Sequence, residues 1–348
     1  MPAAIDRATY VAFSEATGLI STLVACDYDE ELTFTDISID KKMQADSRPL
    51  PDWGLYPAGV ARVLQDRELP AIPVNAVFAS DVPRGAGLSS SASVEVAFLT
   101  MWQHLSGDRL GEMDRALLCQ QAENQYVGVN CGIMDQFASV CGAEEKILQL
   151  DCRSLEWEQM RLPGKVTIII ADTLVRRKLG SSEYNQRRRD CEEAVRIMKA
   201  ELPSITSLRN VSLDAFEFLC SHLPPRVENR TRHVVEEIAR TKQAKQCLAG
   251  EDVIGFGRLM NACHTSLREL YQVSSLELDA LVVSAQSLDG CYGARLTGAG
   301  FGGCTVNLVD LDEVDPFVKG LKQGYFGRTG VEPEVYVTRP SAGAGIVW

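Results

Sequence analysis

The residues best suited to chemistry run from Val82 to Ser93, V-P-R-G-A-G-L-S-S-S-A-S, and lead straight into the apolar run Val94, Val96, Ala97, Phe98 and Leu99. The first backbone N–H groups of a helix have no internal partner and sit at the positive end of its dipole, so such a loop opening a helix is a ready anion site. It is not a Walker loop, which requires G-x-x-x-x-G-K-[ST], because the stretch holds no lysine. Nor does it fit G-x-G-x-x-G, since Gly85 and Gly87 are followed by Ser90. A flexible turn that caps a helix uses the same residue types. Ser89, Ser90 and Ser91, with Ser93 beyond, exceed what a cap needs, and hydroxyls past the first can reach phosphate oxygens or a metal ion. On these residues alone the two readings stay open.

Two carboxylates stand out. Glu123 lies near the end of a helical pattern, and Asp135 sits in G-I-M-D-Q-F among mostly apolar neighbours. An aspartate in such company is either a paired structural group or a tuned one, and by spacing alone the structural role is the simpler reading. The third feature is Leu296–Cys304, L-T-G-A-G-F-G-G-C, between two strand-like runs. It reads as a hairpin or bulge, or as backbone that must approach a ligand or another loop more closely than side chains permit. Two glycine-rich loops so far apart in sequence suggest one shared site.

The elements that must position these residues follow from periodicity. Ile5–Phe13, Leu19–Ala25 and the alternating Glu31–Ile39 predict an early antiparallel sheet. Trp53–Asp66 has helical spacing and Val74–Phe78 is a strand leading into the glycine-serine loop, so the loop joins strand to helix. Glu112–Val127 is helical, Gly128–Gly132 breaks it, and Ile133–Val140 resumes as a short helix. Lys146–Leu150 and Val166–Ala171 are strands, the second too apolar for an edge. The stretch Cys152–Gly164, where the helical pattern lapses, marks the division between domains at residues 1–155 and 156–348. Ser181–Glu201 is a basic helix with a capping serine. Val227–Leu248, Ile254–Tyr271 and Ser275–Ser287 continue as helices, and Ala294–Thr297, Cys304–Leu308 and Val335–Thr338 close the chain as strands. The tail Ser341–Gly345 is expected to fray. Strands and helices without a regular βαβ cadence predict an α+β fold.

Composition limits the classes of function. The 348 residues, 45% hydrophobic and 24% charged, suffice for one large or two ordinary domains with real cores. A net charge of −12 argues against nucleic acid or an anionic membrane as partner, and leaves an anionic ligand to local donors and cations. No run approaches the ~20 apolar residues that span a bilayer, and Met-Pro-Ala-Ala-Ile-Asp does not open a signal peptide. The expectation is a cytoplasmic protein. The eleven cysteines form no C-x-x-C pair and are read as reduced, several packed as small hydrophobes.

These motifs together resemble a known family. P-R-G-A-G-L-S-S-S-A-S is similar to the second signature of the GHMP small-molecule kinases, and L-T-G-A-G-F-G-G-C to their third. Within that superfamily the chain resembles the galactokinases through C-G-I-M-D-Q-F (Cys131–Phe137), S-S-E-Y-N-x-R-R (Ser181–Arg188), R-H-V-V-x-E (Arg232–Glu237) and S-L-R-E-L-Y-x-V-S-x-x-E-L-D (Ser266–Asp279). The resemblance covers nearly the whole chain. It implies a two-domain GHMP kinase-like α+β fold, with a mixed sheet and helices in the N-terminal half, a helix-rich C-terminal half and the active site between them. It implies a transferase that phosphorylates galactose with ATP and Mg2+. Pro83, Gly85, Ala86, Gly87, Leu88, Ser89, Ser90 and Ser91 would then hold the nucleotide, with Trp53, in W-x-x-Y-x-x-G-V, near the adenine. Ser90 and Glu123 would hold the metal, Asp135 would face the sugar 1-hydroxyl as the catalytic residue, and Gly132 and Tyr184 would contact the sugar. Gly298, Gly300, Gly302 and Gly303 would form the supporting loop. Phosphoryl transfer needs mainly positioning, neutralisation of phosphate charge and a carboxylate able to take a proton, which these residues could supply. A monomer acting on a small sugar is expected.

The family's opening signature, G-R-V-N-L-I-G-E-H-T-D-Y, has no counterpart here, and the P-x-A-I-D segment that follows it falls at Pro2–Asp6. In the family that signature carries an arginine beside the catalytic aspartate and the Glu, His and Asp that hold the sugar hydroxyls. Without them Asp135 lacks a cation favouring its ionised form. The sugar loses hydrogen bonds worth roughly 1.5–3 kcal/mol each, and a missing strand exposes sheet edge. The favoured reading is a natural start further upstream, against a truncated inactive paralogue or a variant with substitute groups. The corresponding alternatives in function are a nucleotide or sugar sensor without turnover, and a kinase for N-acetylgalactosamine or arabinose.

Overall fold

Val74, Ala76 and Phe78 are buried while Asn75 and Val77 are exposed, the alternation of a strand with one face on the core and one in water. The computed structural model describes residues 1–176 and 180–347, without the side chains of Gly180, Ser181, Ser182 and Tyr184. The chain divides into two units, one comprising Met1–Arg84, Ser89–Gln159 and Arg339–Trp348, the other Gly85–Leu88 and Met160–Thr338.

The first unit contains strands β1 (Thr9–Glu15), β2 (Ser21–Ala25) and β3 (Glu30–Phe34), helices α1 (Asp36–Ile39) and α2 (Leu55–Asp66), strand β4 (Val74–Ser80), helices α3 (Ser90–Ser106), α4 (Glu112–Gln121) and α5 (Met134–Cys141), and strands β5 (Lys146–Leu150) and β6 (Trp157–Arg161). The sheet order is β1-β4-β2-β3. β4 runs antiparallel to β1 but parallel to β2. The sheet is therefore mixed rather than antiparallel, because β4 inserts between the two opening strands. Leu23, Ala25, Leu32, Phe34, Val74, Ala76 and Phe78 face α2 and α3 in one core. Within it Trp53, Phe78, Phe98 and Trp102 form a continuous aromatic file.

Two expectations need correction here. The strand expected over Glu31–Ile39 stops at Phe34, where Thr35 caps a helical turn. Ser38 N–H donates to Thr35 Oγ1 at 3.2 Å and Thr35 N–H to Ser38 Oγ at 2.9 Å, a capping box that alternation cannot reveal. Where the helical pattern lapses, over Cys152–Gly164, a strand, β6, forms and pairs with β5. The tail expected to fray is fastened: Ser341 N–H donates to Ala4 O at 3.0 Å, Gly343 N–H to Gly142 O at 2.8 Å and Ala344 N–H to Ser139 O at 2.9 Å.

The second unit contains β7 (Val166–Asp172), α6 (Gly180–Met198), α7 (Leu213–Leu219), α8 (Pro225–Ala249), α9 (Val253–Ser266), α10 (Leu276–Gln286), β8 (Cys291–Leu296), β9 (Cys304–Asp310), α11 (Val314–Thr329) and β10 (Glu334–Thr338). Its antiparallel sheet has the order β10-β7-β9-β8. Every residue of β7 is buried, in keeping with its place inside the sheet. Helices α7 and α11 escape the periodicity reading. In α11 Gly324, one of the glycines that dilute the pattern, is a packing site: a Cβ there would lie 3.0 Å from Ser284 on α10. No helix among the described residues is long and apolar enough to cross a membrane.

Candidate active site

In the first unit the site grows from the start of α3. Its N-cap, Ser89, has φ 62° and ψ 37°, a left-handed conformation uncommon for a residue with a Cβ, and its side chain makes no capping bond. The Ser89 hydroxyl instead favours the ionised form of the Asp135 carboxylate, in the first turn of α5. No side chain therefore caps the opening amides of α3 at Ser90 and Ser91, and they remain suited to an external anion. Burial raises the pKa of Asp135 above its ordinary value, the Ser89 hydroxyl opposes that shift and the charge of Glu123 adds to it.

Glu123 is buried in a π-helical turn, Ala122–Val127, that extends α4. Its Oε2 accepts from Gln136 Nε2 at 2.6 Å and from Cys131 Sγ at 3.2 Å, and neither contact uses Oε1. The break between α4 and α5 is tied back by Cys131 N–H donating to Asn124 Oδ1 at 2.8 Å. Gly132 within it is exposed, and a Cβ there would meet nothing within 4 Å. Gln136 Nε2 also donates to Glu95 Oε2 at 3.1 Å. Glu95, on α3, is completely buried and its pKa is raised to about 9, first by desolvation and then by the charges of Glu123 and Asp135.

Trp53 is 7% exposed, and its indole N–H donates to Glu30 Oε2 at 2.7 Å. Tyr28 stacks on it at 6.2 Å, and the guanidinium of Arg84, the residue after half-buried Pro83, lies 4.5 Å from the Tyr28 ring centroid.

In the second unit the loop tip Gly85–Leu88 meets the loop between β8 and β9. Gly85 and Gly87 are exposed and Ala86 is buried. A Cβ on Gly298 would lie 3.2 Å from Gly87 Cα, and one on Gly303 would lie 2.7 Å from Ala86 O. The two glycine loops thus come together at backbone contact, for which Gly298 and Gly303, with φ 71° and 80°, have no side chain to clear. Gly300 and Gly302 press instead on the backbone of Val273 and Val175. Arg176 forms a bidentate pair with buried Asp172 at 2.7 and 2.6 Å, and its Nε is 3.5 Å from where a Gly85 Cβ would stand. Tyr184 falls in α6, but its side chain lies outside the described residues.

Asp135, Glu123, Ser89 and Ser90 are thus gathered in the first unit, and the loop tip and the four glycines in the second. Sequence reasoning missed Glu95, Gln136 and Arg176. A signal existed for Glu95, an acid inside the apolar run of α3. Arg176 had none, because its place beside Gly85 is a long-range contact.

The fold and paired glycine loops define a class. Residues 56–143 match the GHMP kinases N terminal domain and residues 243–326 the GHMP kinases C terminal family. Mevalonate kinase shares the fold, with a TM-score of 0.66 at 18% identity over 98% of this chain and 91% of that one. Closer relatives narrow the class. The chain is 44% identical to the galactokinase of Roseiflexus sp. (strain RS-1) over 99% of its own length and 87% of the relative's. It is 41% identical to that of Chloroflexus aurantiacus over 100% and 87%. The crystal structure of Lactococcus lactis galactokinase complexed with galactose superposes with a TM-score of 0.91 at 31% identity, covering 98% of this chain and 87% of that one. The chain belongs to the galactokinase family.

Proposed function

We propose that the protein transfers the γ-phosphoryl group of ATP to the 1-hydroxyl of galactose, giving galactose 1-phosphate and ADP. The observation that carries the reading is the effect of the Ser89 hydroxyl on Asp135, which sets a half-buried carboxylate beside the uncapped start of a helix. The helix start receives phosphate and the carboxylate receives the acceptor hydroxyl. Desolvation makes Asp135 more basic than an exposed aspartate, and the Ser89 hydroxyl favours its ionised form. The sugar oxygen attacks the γ-phosphorus, the bond from that phosphorus to the ADP oxygen breaks, and the hydroxyl proton passes to Asp135.

In the first unit the amides of the opening turn of α3 hold phosphate, and in the second the loop tip Gly85–Leu88 has Arg176 as a fixed cation beside Gly85. Trp53 serves the adenine end, and Gly132 and Tyr184 serve the sugar. Ser90 and Glu123 fit Mg2+ delivered with the nucleotide. Mg2+ takes one or two protein oxygens alongside phosphates rather than a full protein cage. When bound, Mg2+ neutralises phosphate charge.

A coupled ADP-release assay on the full-length gene product tests the reading. Galactose-dependent turnover is expected, and Asp135→Ala should abolish it while calorimetry shows nucleotide affinity close to the parent's. Nucleotide binding without turnover on any aldose would refute the kinase assignment in favour of a sensor, and equal loss of ATP affinity in Asp135→Ala would refute the role given to Asp135.

A further inference from the structure

Glu95 and Gln136 are both completely buried and neither has a part in the chemistry described above. They are joined through Glu95 Oε2 and Gln136 Nε2 at 3.1 Å, and the second hydrogen of the same amide nitrogen reaches Glu123 Oε2 at 2.6 Å. Each side chain has one oxygen left over: Glu95 Oε1 and Gln136 Oε1 are buried without a hydrogen-bond partner. A proton on Glu95 Oε1 makes those two atoms complementary, a donor on the acid and an acceptor on the amide already bonded to it. An ionised Glu95 offers acceptors only and leaves both oxygens unsatisfied.

The orientation of the amide follows. If Gln136 turned its plane over, Oε1 would face an oxygen of Glu123, and two acceptors would meet. Glu95 secures the NH2 edge by offering it a second acceptor. The amide in turn engages Glu123 through Oε2, as Cys131 does, leaving Oε1 as the oxygen that neither contact occupies.

We propose that Glu95 is a positioning residue which, through Gln136, fixes the rotamer of Glu123 so that one carboxylate oxygen is presented to a divalent cation arriving with the nucleotide. The inference rests on the reading of Glu123 as a metal-holding residue. It reaches one shell further, to side chains that touch neither metal nor substrate. Such outer partners hold first-shell ligands in orientation, and their loss typically weakens metal binding roughly 10–100-fold.

The test measures Mn2+ binding by electron paramagnetic resonance, with a non-hydrolysable ATP analogue present, on the full-length protein. Glu95→Leu and Gln136→Leu should each weaken Mn2+ binding roughly 10–100-fold, while affinity for the nucleotide without metal stays at the parent's value. Glu95→Gln keeps a neutral group with one acceptor and one donor and should restore Mn2+ binding close to the parent's, a rescue that a merely space-filling role would not need. Glu123→Ala separates the two levels of the argument. If it loses Mn2+ affinity while Glu95→Leu and Gln136→Leu keep it, the positioning role is overturned and the metal reading stands. If Glu123→Ala itself keeps Mn2+ affinity, the metal reading is overturned and the inference with it. Should Glu95→Leu fail to fold, the contrast between Gln136→Leu and Glu95→Gln decides alone.

Discussion

The buried Glu95 should make the first unit less stable as pH rises, and Glu95→Gln should remove that dependence. Its pKa is 4.5 when solvated and about 9 in the folded protein. Between those values the unfolded chain has released the proton and the folded chain still holds it. Because the folded state binds more protons, stability falls with rising pH, by about 1.4 kcal/mol per unit. The stabilising side lies below the solvated pKa and is lost as pH climbs towards the folded one. From about pH 5 to about pH 8 the change amounts to about 4 kcal/mol, large beside a total stability of about 5–15 kcal/mol. No tryptophan falls in the sequence of the second unit, so indole fluorescence during urea unfolding reports the first unit alone. The parent and Glu95→Gln should therefore unfold at similar urea concentrations near about pH 5, and the variant should be the more resistant near about pH 8. Titration of every other group is common to both proteins and drops out of the difference. Parallel pH dependences would refute the reasoning, because they would mean that Glu95 ionises in the folded protein much as it does in the unfolded chain.

Two further outcomes follow from the site. Ser89→Ala removes the hydroxyl that favours ionised Asp135, so the acid limb of the pH–rate profile should move to higher pH; a limb that stays in place would separate Ser89 from the proton-accepting group. Gly303→Ala imposes a left-handed conformation costing roughly 1–2 kcal/mol and drives a Cβ to 2.7 Å from Ala86 O. The phosphate loop should shift, and calorimetry should show nucleotide affinity down by roughly 5–30-fold; unchanged affinity with lowered thermal stability alone would show that the contact serves the fold and not the nucleotide.

What could be read from the chain alone was what is local. The start of α3 is announced by serines leading into an apolar run, the break at Gly128–Gly132 by its glycines, and the interior place of β7 by an unbroken apolar stretch. What was missed depends on partners distant in sequence. Insertion of β4 between β1 and β2 is a choice of neighbours that alternation does not encode. The tail has the composition of a loose end, yet its backbone finds carbonyls at Ala4, Ser139 and Gly142. In α11 Gly324, which weakens the helical pattern, also allows a close approach to α10, so a feature that hid the helix helps to dock it. The meeting of the two glycine loops was suggested by composition, but the atoms that touch, Gly87 Cα and Ala86 O, are known only from the fold.

Glu95, Glu123 and Asp135 show how one small region can give three acids different tasks. All three influence one another electrostatically, and several negative charges together would repel an incoming polyphosphate. The repulsion is reduced at the member furthest from solvent: Glu95, completely buried, holds its proton. Asp135, half-buried, is shifted in the same direction but is met by the Ser89 hydroxyl, an arrangement suited to a group that must take up a proton and release it. Glu123 is met by two donors, Gln136 and Cys131, on one oxygen. The ordering follows from burial depth and donor placement, so adding one donor to Glu95 or removing one from Asp135 should alter the division of roles without changing the fold.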